Sequence, residues 1–578
     1  MKKKVLPVAI VIGLILLIVL GTVAAQLIKK YTPTKERMSL SEHYSVEKAG
    51  DLPIILNHQL LDDFALSSDG SIYLKYDFVH DSINSRFYYD ANENLLLYTT
   101  SSDLITVEPD MASYTITKET AQFSAPILKI DGSQAYVNID FVKLFSPIDY
   151  AFYEDLDCSR LVLTSSFGEE AVATVKKDTQ LRVRGGIKSP ILADLTKGDK
   201  LYVLEDLEDW IEVVTESGVI GYAKSKCIGD FAKEISSCDF TPDSFTHISK
   251  DFQINMLWHQ VASPAANDNI SNVLSSGKGI NVVSPTWFYL DDNNGNLADL
   301  ASNSYVSTCH KQGVEVWGLV SNLENADVDS TYVLTHTSTR HNLVNQIVSL
   351  AIQYNLDGIN MDFEALNGPE VGDSYIQLIR ELSLKCANNG LVLSVDNYVP
   401  SDYTAFYNRS EQANFADYVI IMGYDEHYAG SEAGSIASAG WVSEAVTNTL
   451  KEVPAEQTIL GMPFYNRIWM LAPAEGSEAG SDEGAYVDYE TTSYTCSMDE
   501  AISLLDRNNA NTSWLEDCGQ TYGEFVHKDV TYRVWLEDSN ALDSKLQIMA
   551  NNKLAGAAFW KTGLESKSAW DVIQKYIH

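Results

Sequence analysis

The stretch from Leu356 to Glu364, Leu-Asp-Gly-Ile-Asn-Met-Asp-Phe-Glu, constrains the chain more than any other. It follows an amphipathic run, His341 to Tyr354, whose apolar residues Leu343, Val344, Ile347, Leu350 and Ala351 recur at helical spacing. From Ile359 the period changes to two. Ile359, Met361 and Phe363 point one way, and Asn360, Asp362 and Glu364 share the other face of a strand. An ordinary strand with a solvated polar face would show the same alternation, but the apolar flanks read as a buried parallel strand. Acids on such a strand are rarely present without a role. Two neighbouring carboxyls repel, so one is held protonated near neutral pH. A proton donor beside a fixed negative charge is what glycosidic bond cleavage needs.

The surrounding sequence alternates strand and helix. Eight strand candidates follow Ser249: Gln253 to Trp258, Ile280 to Ser284, Glu315 to Val320, Gly358 to Asp362, Val392 to Asp396, Tyr418 to Met422, Thr458 to Gly461 and Gly556 to Phe559. This order argues for an α/β fold, a (β/α)8 TIM barrel, with its site at the carboxyl ends of the strands. Trp258, Trp287, Asn322, Glu364, Tyr424 and Trp560 fall at those ends. The segment from Asn466 to about Asn551 is too long for one connecting helix. It reads as a small β-rich insertion carrying Tyr486, Tyr489 and Trp514, either a cleft wall or a surface decoration.

Asp-Gly-Ile-Asn-Met-Asp-Phe-Glu resembles the Asp-Gly-x-Asp-x-Asp-x-Glu signature of glycoside hydrolase family 18, the chitinase-like family. Asn360 departs from it, a variant similar to the spore-cortex and cell-wall N-acetylglucosaminidase branch. Val282 to Phe288, Tyr418 to His427, Leu460 to Tyr465 and Gly556 to Trp560 resemble the same branch, in order, over residues 248–578.

The resemblance implies a substrate-assisted retaining mechanism in which the sugar's own 2-acetamido oxygen attacks the anomeric carbon. Glu364 would be the acid and then the base, and Asp362 would orient the acetamido group and balance its charge. Tyr424 would bond the acetamido oxygen and Asp425 would help hold the group. Trp560 would form a flat floor under the ring. Met422, Trp287, Trp258 and Asn322 complete the expected binding set, with no cofactor and no metal. An Asp at position 360 could share a proton with Asp362, whereas Asn360 cannot titrate. Asp362 is therefore expected to stay ionised through the cycle. The expected substrate is an N-acetylglucosamine-containing glycan, peptidoglycan before chitin or chitooligosaccharides. A glycan-binding protein on an inactive barrel is the alternative from another class.

The chain has 578 residues, enough for several domains. Its net charge of −38 argues against nucleic acid as a partner. Met1-Lys2-Lys3-Lys4 precedes an apolar run to Ile28, long enough to cross a bilayer. Residues 1–30 therefore read as a membrane anchor with the remainder outside the cytoplasm. A cleaved signal peptide, with secretion, is the alternative. Residues 31–51 read as a tether. Residues 52–167 hold an internal repeat: Asp69-Gly70-Ser71 leading to Asp77-Phe78-Val79 returns as Asp131-Gly132-Ser133 leading to Asp140-Phe141-Val142. The pattern is similar to amine-oxidase N-terminal-like domains of bacterial surface proteins. Residues 170–230 carry short strands, among them Leu181-Arg182-Val183-Arg184 and Trp210 to Val214. That cadence looks like a bacterial Src-homology-3-like barrel, which either binds wall material or only connects. Seven scattered cysteines form no disulfide framework; Cys496 with Cys518 is the one pair worth testing.

Overall fold

The computed structural model describes residues 5–48, 50–366, 368–473 and 489–577. The chain divides into two compact units, one of residues 1–87 and 107–242, the other of residues 88–106 and 243–578.

The first unit begins with the helix Val5–Tyr31, whose segment Pro7–Tyr31 is long and apolar enough to cross a membrane. A seven-stranded sheet follows, in which Ser71–Lys75 lies antiparallel to Gln134–Asn138 with Leu74 opposite Val137. Each of these strands runs straight into a short helix, Tyr76–Ser82 or Ile139–Leu144. The two copies of the repeat thus meet across this strand pair. A second seven-stranded sheet spans Glu169–Thr174 to Ala232–Ile235. Its strands Thr179–Arg182, Lys200–Asp206, Trp210–Thr215 and Ile220–Lys224 lie where the apolar alternation puts them.

The second unit is a closed parallel barrel. Its strands are β1 (Ile254–His259), β2 (Val282–Leu290), β3 (Glu315–Ser321), β4 (Gly358–Asp362), β5 (Val392–Tyr398), β6 (Tyr418–Met422), β7 (Thr458–Pro463) and β8 (Gly556–Trp560). Each pairs in parallel with the next, and β8 and β1 close the ring. Alternate residues build two cores. Ile254, Met256, Trp258, Trp317, Leu319, Val392 and Ile420 fill the barrel. Ile359, Met361, Phe363 and Val395 face outward, against helices that include α1 (Thr337–Tyr354), α2 (Pro369–Asn389) and α3 (Ser539–Asn551). At 0–1% exposure these side chains each contribute about 1.5–3 kcal/mol relative to leaving them in water.

The start of β4 has two specific requirements. Asp357 Oδ2 accepts from the backbone N–H of Val316 at 2.8 Å and pairs with His310 at 2.8 Å, tying β4 to β3. A Cβ at Gly358 would lie 2.8 Å from the Val392 carbonyl and 2.9 Å from the Trp317 ring, so only glycine fits beside that indole.

Three expectations are revised. The hairpin region 88–106 belongs with the barrel, so the repeat segment 52–167 is not one contiguous unit. The insertion is a five-stranded sheet from Tyr465–Pro473 to Val530–Leu536 with the helix Met498–Arg507. It ends before α3, because Leu542, Leu546 and Met549 make that segment one of the barrel's own helices. Cys496 and Cys518 are both free thiols, as are the other five cysteines. Tyr486 lies outside the described residues.

Candidate active site

The inward parity of β4 delivers Asn360, Asp362 and Glu364 at rising heights in the barrel. Asn360 is fully buried. Its Oδ1 accepts from Trp258 Nε1 and from Ser284 Oγ, each at 2.9 Å. Two donors on one oxygen fix the amide's orientation, leaving Nδ2 to donate to Asp396 Oδ1 at 2.8 Å. Asn360 therefore organises the floor and does not reach a ligand.

Asp362 and Glu364 stand above it. Burial, followed by the charges of Asp396, Glu364 and Glu324, holds the Asp362 carboxyl well above the usual carboxylate range. Glu364 is also raised, by burial first and then by Asp425 and Glu324, while a hydrogen bond with Tyr398 opposes the shift. The backbone of Glu364 is clamped. Its N–H donates to Asn322 Oδ1 at 2.8 Å, and Asn322 Nδ2 donates to its carbonyl at 2.9 Å. The next residue, Ala365, has φ +51° and donates its N–H to the Tyr398 hydroxyl at 3.2 Å. A left-handed alanine is strained by roughly 1–2 kcal/mol, which these bonds offset.

The remaining walls come from β6 and β8. Tyr424 follows β6, and its hydroxyl is pushed up by burial and by the charges of Asp396 and Asp362. Its ring meets Tyr465 edge-on at 6.3 Å, and the Tyr465 hydroxyl donates to Asp425 Oδ1. Asp425 has φ +61°, which turns a half-exposed carboxylate into the cleft, 3.7 Å from Arg467. Met422 ends β6, almost fully buried. Trp560 ends β8 partly exposed, with its ring edge-on to Trp258 at 6.0 Å. The peptide bond after Trp560 is cis.

Glu364, Asp362, Tyr424, Asp425, Met422 and Trp560 lie at the carboxyl ends of β4, β6 and β8. Three residues of the expected binding set do other work. Trp258 is 1% exposed and supports the floor from beneath. Trp287 is 0% exposed; it packs in the layer between strands and helices and donates Nε1 to Asn267 at 2.8 Å. Asn322 spends its amide on the Glu364 backbone. The sequence reading missed Asp396 and Tyr398. Their signal was present in β5, where Ser394, Asp396 and Tyr398 put a polar group at every second position, although Asn397 interrupts the apolar face opposite.

Residues 307–565 match the family described as Glycosyl hydrolases family 18. The barrel carries this match over most of its length. The chain is 26% identical to the uncharacterized glycosylase YvbX of Bacillus subtilis (strain 168), over 49% of this chain and 81% of that protein. It is 24% identical to the cortical fragment-lytic enzyme of the same organism, over 48% of this chain and 63% of that one. The matched region thus spans somewhat under two thirds of the cortical fragment-lytic enzyme. A solved C-terminal domain from Desulfitobacterium hafniense DCB-2 aligns with 57% of this chain and all of that one, at TM-score 0.50 and 19% identity, a likeness of fold.

Proposed function

We propose that the barrel hydrolyses β-glycosidic bonds at N-acetylglucosamine in peptidoglycan glycan strands, by substrate-assisted retaining catalysis. The observation that carries this reading is Glu364. It is a carboxyl of raised pKa on a clamped backbone at the barrel mouth, with Asp362 two residues before it on the same face and Tyr424 and Trp560 among the mouth residues. Burial, by raising the pKa, favours the protonated form that a proton donor to a leaving oxygen requires. After bond cleavage the same group takes a proton from water. Asp362 lies deeper, where an anion would face the acetamido nitrogen as it gains positive charge. Tyr424 supplies an O–H for the acetamido oxygen, Asp425 a further acceptor, and Trp560 an apolar face under the ring. Met422 lines the base.

Peptidoglycan is favoured over chitin by the likeness to a cortical fragment-lytic enzyme and by the accessory modules. The Val5–Tyr31 helix would anchor the enzyme with its catalytic unit outside the cytoplasm. The sheet of residues 169–235, Src-homology-3-like in cadence, and the repeat sheet before it would contact the wall or act as spacers.

The test is Glu364→Gln, assayed for release of reducing ends from purified peptidoglycan and from chitin. The variant should lose about 10²–10⁴ of the rate while keeping its fold. Loss on one substrate alone names that substrate. An unmutated protein that cleaves neither would refute hydrolysis and favour a glycan-binding role.

A further inference from the structure

Asp396 is a buried carboxyl that the reading above leaves without work. It is 3% exposed and sits on β5 with its side chain inside the barrel. The β4–β5 register pairs Asn360 with Ser394 and Met361 with Val395. One step further along both strands sets Asp362 beside Asp396, on strands about 4.8 Å apart. Asp396 is the strongest charged neighbour of Asp362, and Asp362 and Glu364 are the carboxylates nearest it from β4. Tyr424 from beyond β6 and Tyr375 from α2 also face it, both as neutral hydroxyls whose ionisation is opposed by burial and by Asp396. Among the described residues, no Lys, Arg or His forms an ion pair with Asp396. It accepts a hydrogen bond from the Asn360 amide at 2.8 Å. Two buried carboxylates side by side, without a cation, are not both charged.

The amide explains why the pair is Asp362 with Asp396. Asn360 Oδ1 is already committed to Trp258 and Ser284, so Nδ2 can only point at Asp396. A carboxylate at position 360 would meet Asp396 oxygen to oxygen.

We propose that Asp396 is a positioning residue for the hydrolysis: with Asp362 beside it on the neighbouring strand it holds one exchangeable proton. When the proton is on Asp396, Asp362 is free as the anion facing the substrate's acetamido group. When the site is empty, either oxygen pair can hold it. Only an O–H bond is broken and remade, and the pair keeps one proton throughout. The expectation that Asp362 stays ionised for want of a titrating partner is replaced by this arrangement. The proposal rests on the hydrolase reading for its catalytic consequence, but the shared proton can be measured without any substrate.

The experiment uses the full chain with Asp396→Asn, Asn360→Asp and the double exchange Asn360→Asp with Asp396→Asn. The first readout is the thermal midpoint against pH. A buried pair that retains a proton makes the native state bind more protons than the unfolded one, so stability falls as pH rises above the unfolded carboxyl range of about 4. Asp396→Asn removes that retained proton. Its midpoint should therefore gain on the unmutated protein from about pH 5 to about pH 8. Asn360→Asp alone, which adds a third carboxyl, should steepen the loss. A difference that stays flat with pH overturns the shared proton, whether or not the protein cleaves glycans. The second readout is the pH profile of kcat on peptidoglycan. Asp396→Asn should lower kcat about 10- to 100-fold and shift the profile with KM little changed, and the double exchange should recover most of it. An unshifted profile, or a double exchange no better than the single one, overturns the positioning role. If Asp396→Asn fails to fold, the steepened pH dependence of Asn360→Asp decides in its place.

Discussion

Asn322 makes two hydrogen bonds to the backbone of a single residue, Glu364, at 2.8 and 2.9 Å. A carboxyl that must meet a leaving oxygen is sensitive to its own main chain, since a displacement of about 1 Å can lower a rate about 10²-fold. Asn322→Ala removes both bonds and leaves the strained Ala365 held from this side only through Tyr398. It should lower kcat on peptidoglycan by roughly 10-fold to 100-fold, with KM within about 3-fold and the pH profile unmoved. Steady-state kinetics on defined wall fragments would check this. A raised KM with unchanged kcat would return Asn322 to the role of a direct sugar contact. Trp258 and Asn360 act in the same indirect way, through the indole N–H bonded to the amide oxygen at 2.9 Å. Asn322 and Trp258 were legible in the sequence as a polar and an aromatic group at strand ends, and Asn360 as a polar group on the inward face of β4. Residue type and position do not tell whether such a group faces the ligand or another side chain, because that depends on packing across the barrel.

At the scale of elements, the eight strands were legible because their parity is clean: inward and outward residues alternate, and β4 and β6 run over the expected residues. The hairpin region 88–106 was not legible as part of the barrel unit. Its strands look like the second repeat copy at 149–164, and what separates their fates is polar contact far away in sequence. Asp90 is the clearest instance. It is 1% exposed, its Oδ1 accepts from the N–H groups of Asn92 and Glu93, and its Oδ2 accepts from Thr337 N and Oγ1, both at 2.6 Å. Thr337 opens α1, and the residue preceding it, His336, gives no side-chain cap. Asp90 thus does from a distance what an N-cap does locally, satisfying an orphan N–H and placing a negative charge at the positive end of the helix. Asp90→Ala should lower stability by about 1–2 kcal/mol, read from urea unfolding, whereas Asp90→Asn, which keeps an acceptor oxygen, should lose less. Equal losses would mean that the charge, and not the hydrogen bonds, is what α1 uses.

For the whole molecule, the expected catalytic region 248–578 leaves out part of the barrel unit, since that unit comprises Tyr88–Thr106 together with Asp243–His578. A chain of residues 243–578 would lack every partner the hairpin region supplies. Arg340 on α1 is fully buried, with its guanidinium 4.9 Å from the Tyr88 ring and 3.0 Å from Glu381 on α2. Ser374 and Gln377 on α2 bond the Tyr88 hydroxyl at 2.9 Å and Thr99 Oγ1 at 3.1 Å. Without the hairpin, Thr337 loses its acceptor, Gln377 and Ser374 face solvent, and the buried Arg340–Glu381 pair is opened on one side. Opening a buried ion pair to water weakens its mutual attraction, and the aromatic surface of Tyr88 is no longer there to be buried against it. The damage falls on α1 and α2, which flank β4, so the strand bearing Asp362 and Glu364 would lose its outer support. The chain 243–578 should therefore unfold at a lower urea concentration than residues 32–578, by several kcal/mol if about 1–2 kcal/mol for the cap adds to the loss at the ion pair. Its activity should fall in step with the native fraction. Introducing Asp90→Ala into residues 32–578 should reproduce only part of that loss, because the contacts of Tyr88 and Thr99 are separate from the cap. Equal stability of the two chains would show that the hairpin region is carried by the barrel without supporting it.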